Sequence, residues 1–139
     1  MNYILLNIII NSILVGVILM TQFINYPLFK SIKSDFTNYH KQYTKRMGCV
    51  VAPLMVIELI LVTYITLHHK ENLFVIFIFL LTIIIWASTF FIQVPIHNTL
   101  SKKKEKNKII KLNTSNYIRT ICWILKLIIS IHFFNICNL

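Results

Sequence analysis

Two histidines and two arginines are the residues of this sequence best suited to acid–base chemistry. His40 and Arg46 lie just before the second apolar stretch of the chain, whereas His97 and Arg119 flank the connection between the third and fourth stretches. Histidine exchanges a proton near neutral pH, which suits it to general acid–base work. Arginine binds anions through paired hydrogen bonds. The four residues therefore predict a catalytic site with proton-transfer and anion-binding groups.

Amide, phenol and indole side chains occur near the same ends of the apolar stretches. We expect them to bind a substrate beside the four catalytic candidates; they are Gln22, Asn25, Tyr26, Tyr43, Gln93, Asn116 and Trp123. A metal ion or haem would use His40 and His97, since four-helix bundles build such sites from facing helices. The sequence has neither Glu-x-x-His nor His-x-x-x-His spacing. Hydrogen-bonding histidines are therefore the favoured alternative, and the cofactor stays open.

Glu58 and Lys126 are the acid and the lysine that lie deep inside apolar stretches. Each is about ten residues past the start of its stretch, so each lies ~15 Å deep at about 1.5 Å per residue. An unpaired charge at that depth costs ~3 kcal/mol or more. We therefore predict a buried Glu58–Lys126 ion pair. The pair either fixes helix register or carries a proton or binds substrate, and the sequence leaves both interpretations open.

The composition indicates what kind of fold must position these residues. The 139 residues are 57% hydrophobic and 13% charged, against about 45–50% and about 25% in soluble domains. This excludes a disordered chain, an ordinary soluble domain and a disulfide scaffold. The chain contains four apolar stretches, each close to the ~20 residues that a helix needs to cross a bilayer. They predict membrane helices. They cover about 3–25, 47–67 with a helical extension from about 34, 73–94 and 116–136. We predict one domain, 1–139, that is an all-α four-helix membrane bundle.

Proline follows a polar and aromatic segment in two of the four stretches. Tyr26-Pro27 is expected to end the first helix and Pro95 to end the third, because proline lacks the backbone donor that continues a helix. A basic loop follows each proline. This similarity hints at two related helical hairpins.

Lysine and arginine are concentrated in two of the three loops. The net charge is +10, and the clustering favours topology determinants over nucleic-acid binding. The positive-inside rule predicts that both basic loops are cytoplasmic and both termini outside. The loop residues are Lys30, Lys33, Lys41, Lys45, Arg46, Lys102, Lys103, Lys104, Lys106, Lys108 and Lys111, with Lys70 on the other side.

Two blocks of the chain carry a resemblance to known membrane proteins. The first contains Tyr26-Pro27-Leu28-Phe29, Phe36, Tyr39-His40, Tyr43, Arg46, Pro53 and Glu58; the second contains Gln93-Val94-Pro95, His97, Asn116-Tyr117-Ile118-Arg119-Thr120 and Trp123. Together they resemble a group of small four-helix bacterial membrane proteins and, more distantly, the anthrone-oxygenase-like membrane family. The resemblance covers nearly the whole chain. It implies oxidation of an aromatic ketone by oxygen without a dedicated cofactor, and it assigns no catalytic residue.

Two functions remain open at this point. The first is a membrane oxidoreductase or oxygenase-like enzyme acting on a lipophilic aromatic or quinone-like substrate. In it, His40 or His97 removes a proton and Arg46 or Arg119 stabilises the enolate. The second is an accessory or binding subunit of a membrane complex, or a small carrier. The expected partners are the lipid bilayer, a lipophilic small molecule, and further copies or subunits.

Overall fold

The computed structural model describes residues 3–137, and this part of the chain is built from helices without a β-strand. Four long helices are present: α1 (Tyr3–Leu28), α2 (Phe36–His68), α3 (Leu73–Leu100) and α4 (Lys106–Cys137). Each is long and apolar enough to span a membrane. The predictions of an all-α fold and of four candidate membrane helices are confirmed.

The helices pack as an antiparallel bundle. Helix α4 contacts α1 and α3, and α2 contacts the same two helices from the other side. The two basic loops lie together, since Lys104 Nζ donates hydrogen bonds to the backbone oxygens of Ile32 and, at 3.4 Å, of Lys30. We call this side of the bundle the basic end, and the side of the 69–72 loop the opposite end.

Helix α3 continues past its proline to Leu100, contrary to the sequence prediction, whereas α1 ends at Leu28, one residue after Pro27 and close to its predicted end. In each helix a five-residue π-helical segment, Thr21–Asn25 or Thr89–Gln93, stands just before the residue that precedes proline. The backbone N–H of Tyr26 donates to Thr21 O, and that of Val94 donates to Thr89 O. The widened turn changes the hydrogen-bond register where proline supplies no donor. The chain therefore stays helical to Leu28 and Leu100.

The two π-helical segments also relate the two halves of the chain. The same number of residues separates Thr21 from Thr89 and Pro27 from Pro95. That number also separates Glu58 from Lys126. The relation agrees with the hint of two related hairpins, α1–α2 and α3–α4, and it places the acid and the base of the buried pair at corresponding positions.

Helix α4 begins about ten residues earlier than the sequence predicted. Residues 106–115 were expected to precede the helix because they contain three lysines. Ile109 and Leu112 are fully buried and pack with Phe29, Phe36 and Leu100 at the basic end. Apolar contacts on one face therefore keep residues 106–115 helical, while the lysines lie on the other faces.

The distribution of polar residues is that expected for contact with a bilayer. Phe91 and Leu67 are 82% and 71% exposed, and many other large apolar side chains also lie on the outside. His40, Glu58 and Lys126, by contrast, are fully buried. Apolar side chains can face lipid without cost, whereas polar groups must find partners inside the protein.

Candidate active site

Four side chains form a continuous hydrogen-bonded chain near the basic end; three come from α1, α2 and α3, and the fourth belongs to the residue that follows α3. The Tyr26 hydroxyl lies 3.0 Å from His97 Nε2, and His97 Nδ1 lies 3.0 Å from His40 Nε2. His40 Nδ1 is 3.0 Å from Ser101 Oγ. We call these four residues the relay. Every imidazole nitrogen in it has a partner.

The π-helical segments help to aim two of the relay residues. Tyr26 directly follows the segment in α1, and His97 follows the segment in α3 by four residues. One residue added to a helical turn rotates the rest of the helix by roughly 100°, given about 3.6 residues per turn. His40 belongs to α2, and aromatic contacts hold its imidazole ring. The ring stacks on Phe36 and makes an edge contact with Phe29, at ring-centroid distances of 5.5 and 5.4 Å.

Proton counting shows what the relay can do. With both imidazoles neutral, the three hydrogen bonds of the relay can all be donated in the direction from Tyr26 to Ser101. They can equally all be donated in the direction from Ser101 to Tyr26. Both arrangements satisfy every bond, because a neutral imidazole has one donor and one acceptor nitrogen. A proton accepted at Tyr26 can thus displace one at Ser101. The relay has the connectivity required to move a proton between the bundle interior and the basic end.

A cavity of about 370 Å³ adjoins the inner end of the relay. Its polar wall contains Tyr26, Tyr43, His97 and Arg119. The rest is mainly apolar and aromatic; these lining residues are Leu14, Val17, Ile18, Thr21, Thr44, Met47, Gly48, Val51, Ala52, Met55, Trp86, Thr89, Phe90, Val94, Asn98 and Trp123. The volume lies in the range of small-molecule sites, which combine apolar walls with a few polar groups.

The cavity lies between α2 and α3, and α1 and α4 form its floor. Gly48 and Ala52 of α2 are exposed on the outside of the bundle, as are Phe90, Val94 and Asn98 of α3. We call the gap between these five residues the mouth. Because these exposed residues stand on the sides of two helices and not in the loops of the basic end, we infer that the mouth opens sideways from the bundle. The cavity therefore has a lateral opening on the surface where the apolar side chains are exposed.

Arg119 is a buried cation on the cavity wall. It is 8% exposed, its guanidinium carbon lies 5.2 Å from the Trp123 ring centroid, and it interacts electrostatically with the Tyr26 hydroxyl group. Its Nε has no hydrogen-bond partner. Among residues 3–137, the only ion pair joins Glu58 to Lys126, so no carboxylate neutralises Arg119. The polar wall is therefore suited to an anion.

A second buried polar group, which we call the ion-pair cluster, consists of Glu58, Lys126, Thr82 and Trp123. Lys126 Nζ lies 2.6 Å from Glu58 Oε1, and both side chains are fully buried. Trp123 Nε1 lies 3.2 and 3.3 Å from the two Glu58 oxygens, and Lys126 also donates to Thr82 Oγ1 at 3.3 Å. The structure thus brings together the two charges that the sequence paired. Trp123 alone of the four lines the cavity.

Several residues expected to bind substrate make contacts between helices instead. Gln22 donates to Asn113 Oδ1 at 2.8 Å and accepts from Asn116 Nδ2 at 2.9 Å, which joins α1 to α4. Gln93 donates to Ser115 Oγ at 3.0 Å, which joins α3 to α4. Asn25 donates to Tyr43 Oη at 3.4 Å. Gln22, Asn25, Gln93 and Asn116 are not among the residues that line the cavity.

The four catalytic candidates also take different places. His97 and Arg119 line the cavity, while His40 lies behind His97 in the relay. Arg46 is exposed and does not line the cavity. No group of three metal-ligating side chains occurs among the described residues. The facing nitrogens of His40 and His97 bond to each other rather than converging on a shared point.

Ser101 and Asn98 are site residues that the sequence analysis did not identify. Asn98 lies in the last turn of α3 and Ser101 directly follows that helix, which was expected to end near Pro95. A helix that continued past Pro95 would place Ser101 four residues after His97, on the same helical face. That spacing was the available signal. The assumption that proline ends a helix concealed it.

Comparisons of this chain with protein-family models, with curated proteins and with solved structures find no match in any of the three. The arrangement of the site is therefore the basis for inferring function.

Proposed function

We propose that this protein is a membrane enzyme that oxidises a lipophilic aromatic or quinone-like substrate, starting with removal of a proton inside the cavity. The observation that carries the proposal is the junction of the relay with a buried arginine on the wall of an apolar cavity. Proton acceptor, anion partner and lipophilic volume meet there. The resemblance to the anthrone-oxygenase-like family supports the same class of reaction.

The first step is proton abstraction from a methylene group next to an aromatic ketone. Tyr26 Oη takes the substrate proton while its own proton passes to His97 Nε2. The Nδ1 proton of His97 then passes to His40, and the Nδ1 proton of His40 passes to Ser101, whose own hydroxyl proton is released to water at the basic end, where Ser101 is partly exposed. The enolate oxygen binds the Arg119 guanidinium, which stabilises the charge that the step creates.

The oxidation step needs dioxygen as the second substrate. Dioxygen takes the electrons of the enolate carbon, and a carbon–oxygen bond forms there. Overall the CH₂ group and one O₂ become a C=O group and one water molecule, which balances atoms and electrons. In this proposal the protein supplies the deprotonation and the anion site, and the enolate itself is the reductant of oxygen.

The test uses anthrone with the purified protein in lipid nanodiscs. The native chain should accelerate both deuterium exchange at the anthrone methylene and oxygen uptake above protein-free nanodiscs. The His97→Gln variant should lower both rates by roughly 10²- to 10⁴-fold, the range of a lost general base. His68→Gln is the matched control, because His68 is exposed near the opposite end.

Absence of both exchange and oxygen uptake with the native chain would overturn the proposal. Equal rates for native chain and His97→Gln would also overturn it, since the relay would then have no part in the reaction. The second candidate function is an accessory or binding subunit. It would be favoured if anthrone bound saturably to the protein but reacted no faster than in protein-free nanodiscs.

We further propose that the basic end faces the cytoplasm of a bacterial inner membrane and that both termini face outward. The clustering of lysine and arginine at the basic end supports this orientation. Cys137 is exposed at the end of α4, whereas Cys122 is buried. In a Cys49→Ala background, a membrane-impermeant maleimide should label Cys137 in intact cells. Labelling of Cys137 only after cell lysis would indicate the opposite orientation.

A further inference from the structure

The buried charges of the bundle do not balance, and the imbalance lies at the cavity. Glu58 and Lys126 neutralise each other at 2.6 Å. Arg119 adds a positive charge that has no carboxylate partner among residues 3–137. A buried cation without a counter-ion is costly in a protein interior and more so within a membrane. An anion in the cavity would relieve that cost.

Two donors on the cavity wall also lack an acceptor. Arg119 Nε and Trp86 Nε1 are both buried without a hydrogen-bond partner, and both residues line the cavity. Buried polar groups are normally hydrogen-bonded, and an orphaned one requires an explanation such as a missing ligand. Unpartnered buried atoms also occur away from the cavity, for example on Asn11, so it is the positive charge of Arg119 on the cavity wall that favours a ligand with an anionic oxygen.

The rest of the cavity is suited to an apolar body that reaches the outside of the bundle. Gly48 stands at the mouth, and a Cβ atom added to it would meet no other atom within 4 Å. Phe90 and Val94 on the facing helix are 56% and 39% exposed. A ligand in the cavity can therefore extend between α2 and α3 into the hydrocarbon region that these side chains face.

We infer that the cavity takes a single-headed lipophilic anion, which enters sideways from the bilayer through the mouth and places its anionic oxygen on Arg119. This inference rests on the proposed function only in that the enolate is one such anion. Lys45 is exposed about one turn before Gly48, on the same side of the helix. It lies where the head of such an amphiphile would approach the mouth from the basic end.

The chain offers a direct reporter of this binding. Its two tryptophans, Trp86 and Trp123, both line the cavity. A stearic acid that carries bromine on its chain quenches nearby tryptophan fluorescence, and its methyl ester differs from it only in lacking the charge. Titration of both probes into the purified protein in detergent micelles therefore measures the contribution of the anionic head.

The native chain should show saturable quenching with an affinity for the acid roughly 10- to 100-fold above that for the ester, as expected for a hydrogen-bonded charge. In Arg119→Gln the two affinities should become equal. Gly48→Leu should weaken quenching by both probes, because its side chain fills the mouth. Gly16→Leu is the matched control, since Gly16 is exposed, meets equally open space and does not line the cavity.

Equal affinity of the native chain for acid and ester would overturn the anionic head, and equal quenching in Gly48→Leu and Gly16→Leu would overturn lateral entry. Circular dichroism melts of each variant show whether it is folded, so an unfolded Arg119→Gln would be replaced by Arg119→Met. Failure here leaves the proposed reaction intact if anthrone turnover still depends on His97. Conversely, a preference for the acid without anthrone turnover would support the binding site and overturn the enzyme.

Discussion

The ion-pair cluster and the relay are both buried polar groups, but they differ in balance and in access. In the ion-pair cluster both Glu58 oxygens have partners, and the charge of Lys126 is matched at 2.6 Å. Glu58 and Lys126 do not line the cavity. The relay lies against the cavity, beside the unmatched charge of Arg119. Complete pairing indicates a structural role, whereas unmatched charge next to open volume indicates a binding role.

Breaking the ion pair should have the largest effect on stability. Glu58→Gln leaves Lys126 as a buried cation without its carboxylate, and we expect a loss of about 3–5 kcal/mol in the free energy of unfolding. The double variant Glu58→Met with Lys126→Met should recover most of that loss. Reversible unfolding in mixed micelles, followed by circular dichroism, measures both. A double variant no more stable than Glu58→Gln would contradict a purely structural pair.

Interrupting the relay behind the cavity should affect turnover rather than binding. His40→Gln can still hydrogen-bond to His97 and Ser101, but an amide does not pass a proton between them. We expect kcat for anthrone to fall by roughly 10²-fold, with KM unchanged because His40 does not line the cavity. A rise in KM at constant kcat would show that His40 acts only on the shape of the site.

Removing the unmatched charge should change stability in the direction opposite to breaking the pair. Arg119→Gln eliminates a buried cation that has no carboxylate partner, so the free energy of unfolding should stay the same or rise by about 1 kcal/mol. Lys126→Met, which leaves Glu58 without its cation, should lower it. Parallel melts of the two variants make the comparison. Equal losses would mean that Arg119 is already neutralised within the bundle.

The smallest effect is expected at the contacts between helices. Gln93→Leu removes the hydrogen bond to Ser115, and such bonds contribute about 0.6 kcal/mol on average in membrane helices. Gln93 Oε1 has no partner to lose. Anthrone turnover should be unchanged, since Gln93 does not line the cavity. If the fall in turnover, expressed as a free energy, exceeded the loss in the free energy of unfolding, Gln93 would have a role in the site.

The four helices and the buried pair were predictable because both follow from strong local rules. Apolar stretches near the length of a bilayer predict spans, and charges at equal depth predict partners. The helix ends were less predictable. The rule that proline ends a helix failed at Pro95 because a π-helical segment precedes it, and such a register change depends on packing rather than on local sequence.

The membership of the site was only partly predictable for the same reason. Tyr26, Tyr43, His97, Arg119 and Trp123 do line the cavity. Composition alone did not separate them from Gln22 and Asn116, which are polar and of similar depth but face a neighbouring helix. Arg46 was grouped with the site by its position along the chain. Which face of α2 it occupies depends on how that helix packs.

The most direct test of the account is the state of the two relay histidines in the protein labelled with ¹⁵N-histidine. We predict a nitrogen–nitrogen coupling across the hydrogen bond between His97 Nδ1 and His40 Nε2, in a spectrum of five histidines. Addition of anthrone should shift the ¹⁵N resonances of these two residues and leave those of His68 and His132 unchanged. Five uncoupled imidazoles, or a coupled pair that does not respond to anthrone, would contradict a relay that serves the cavity.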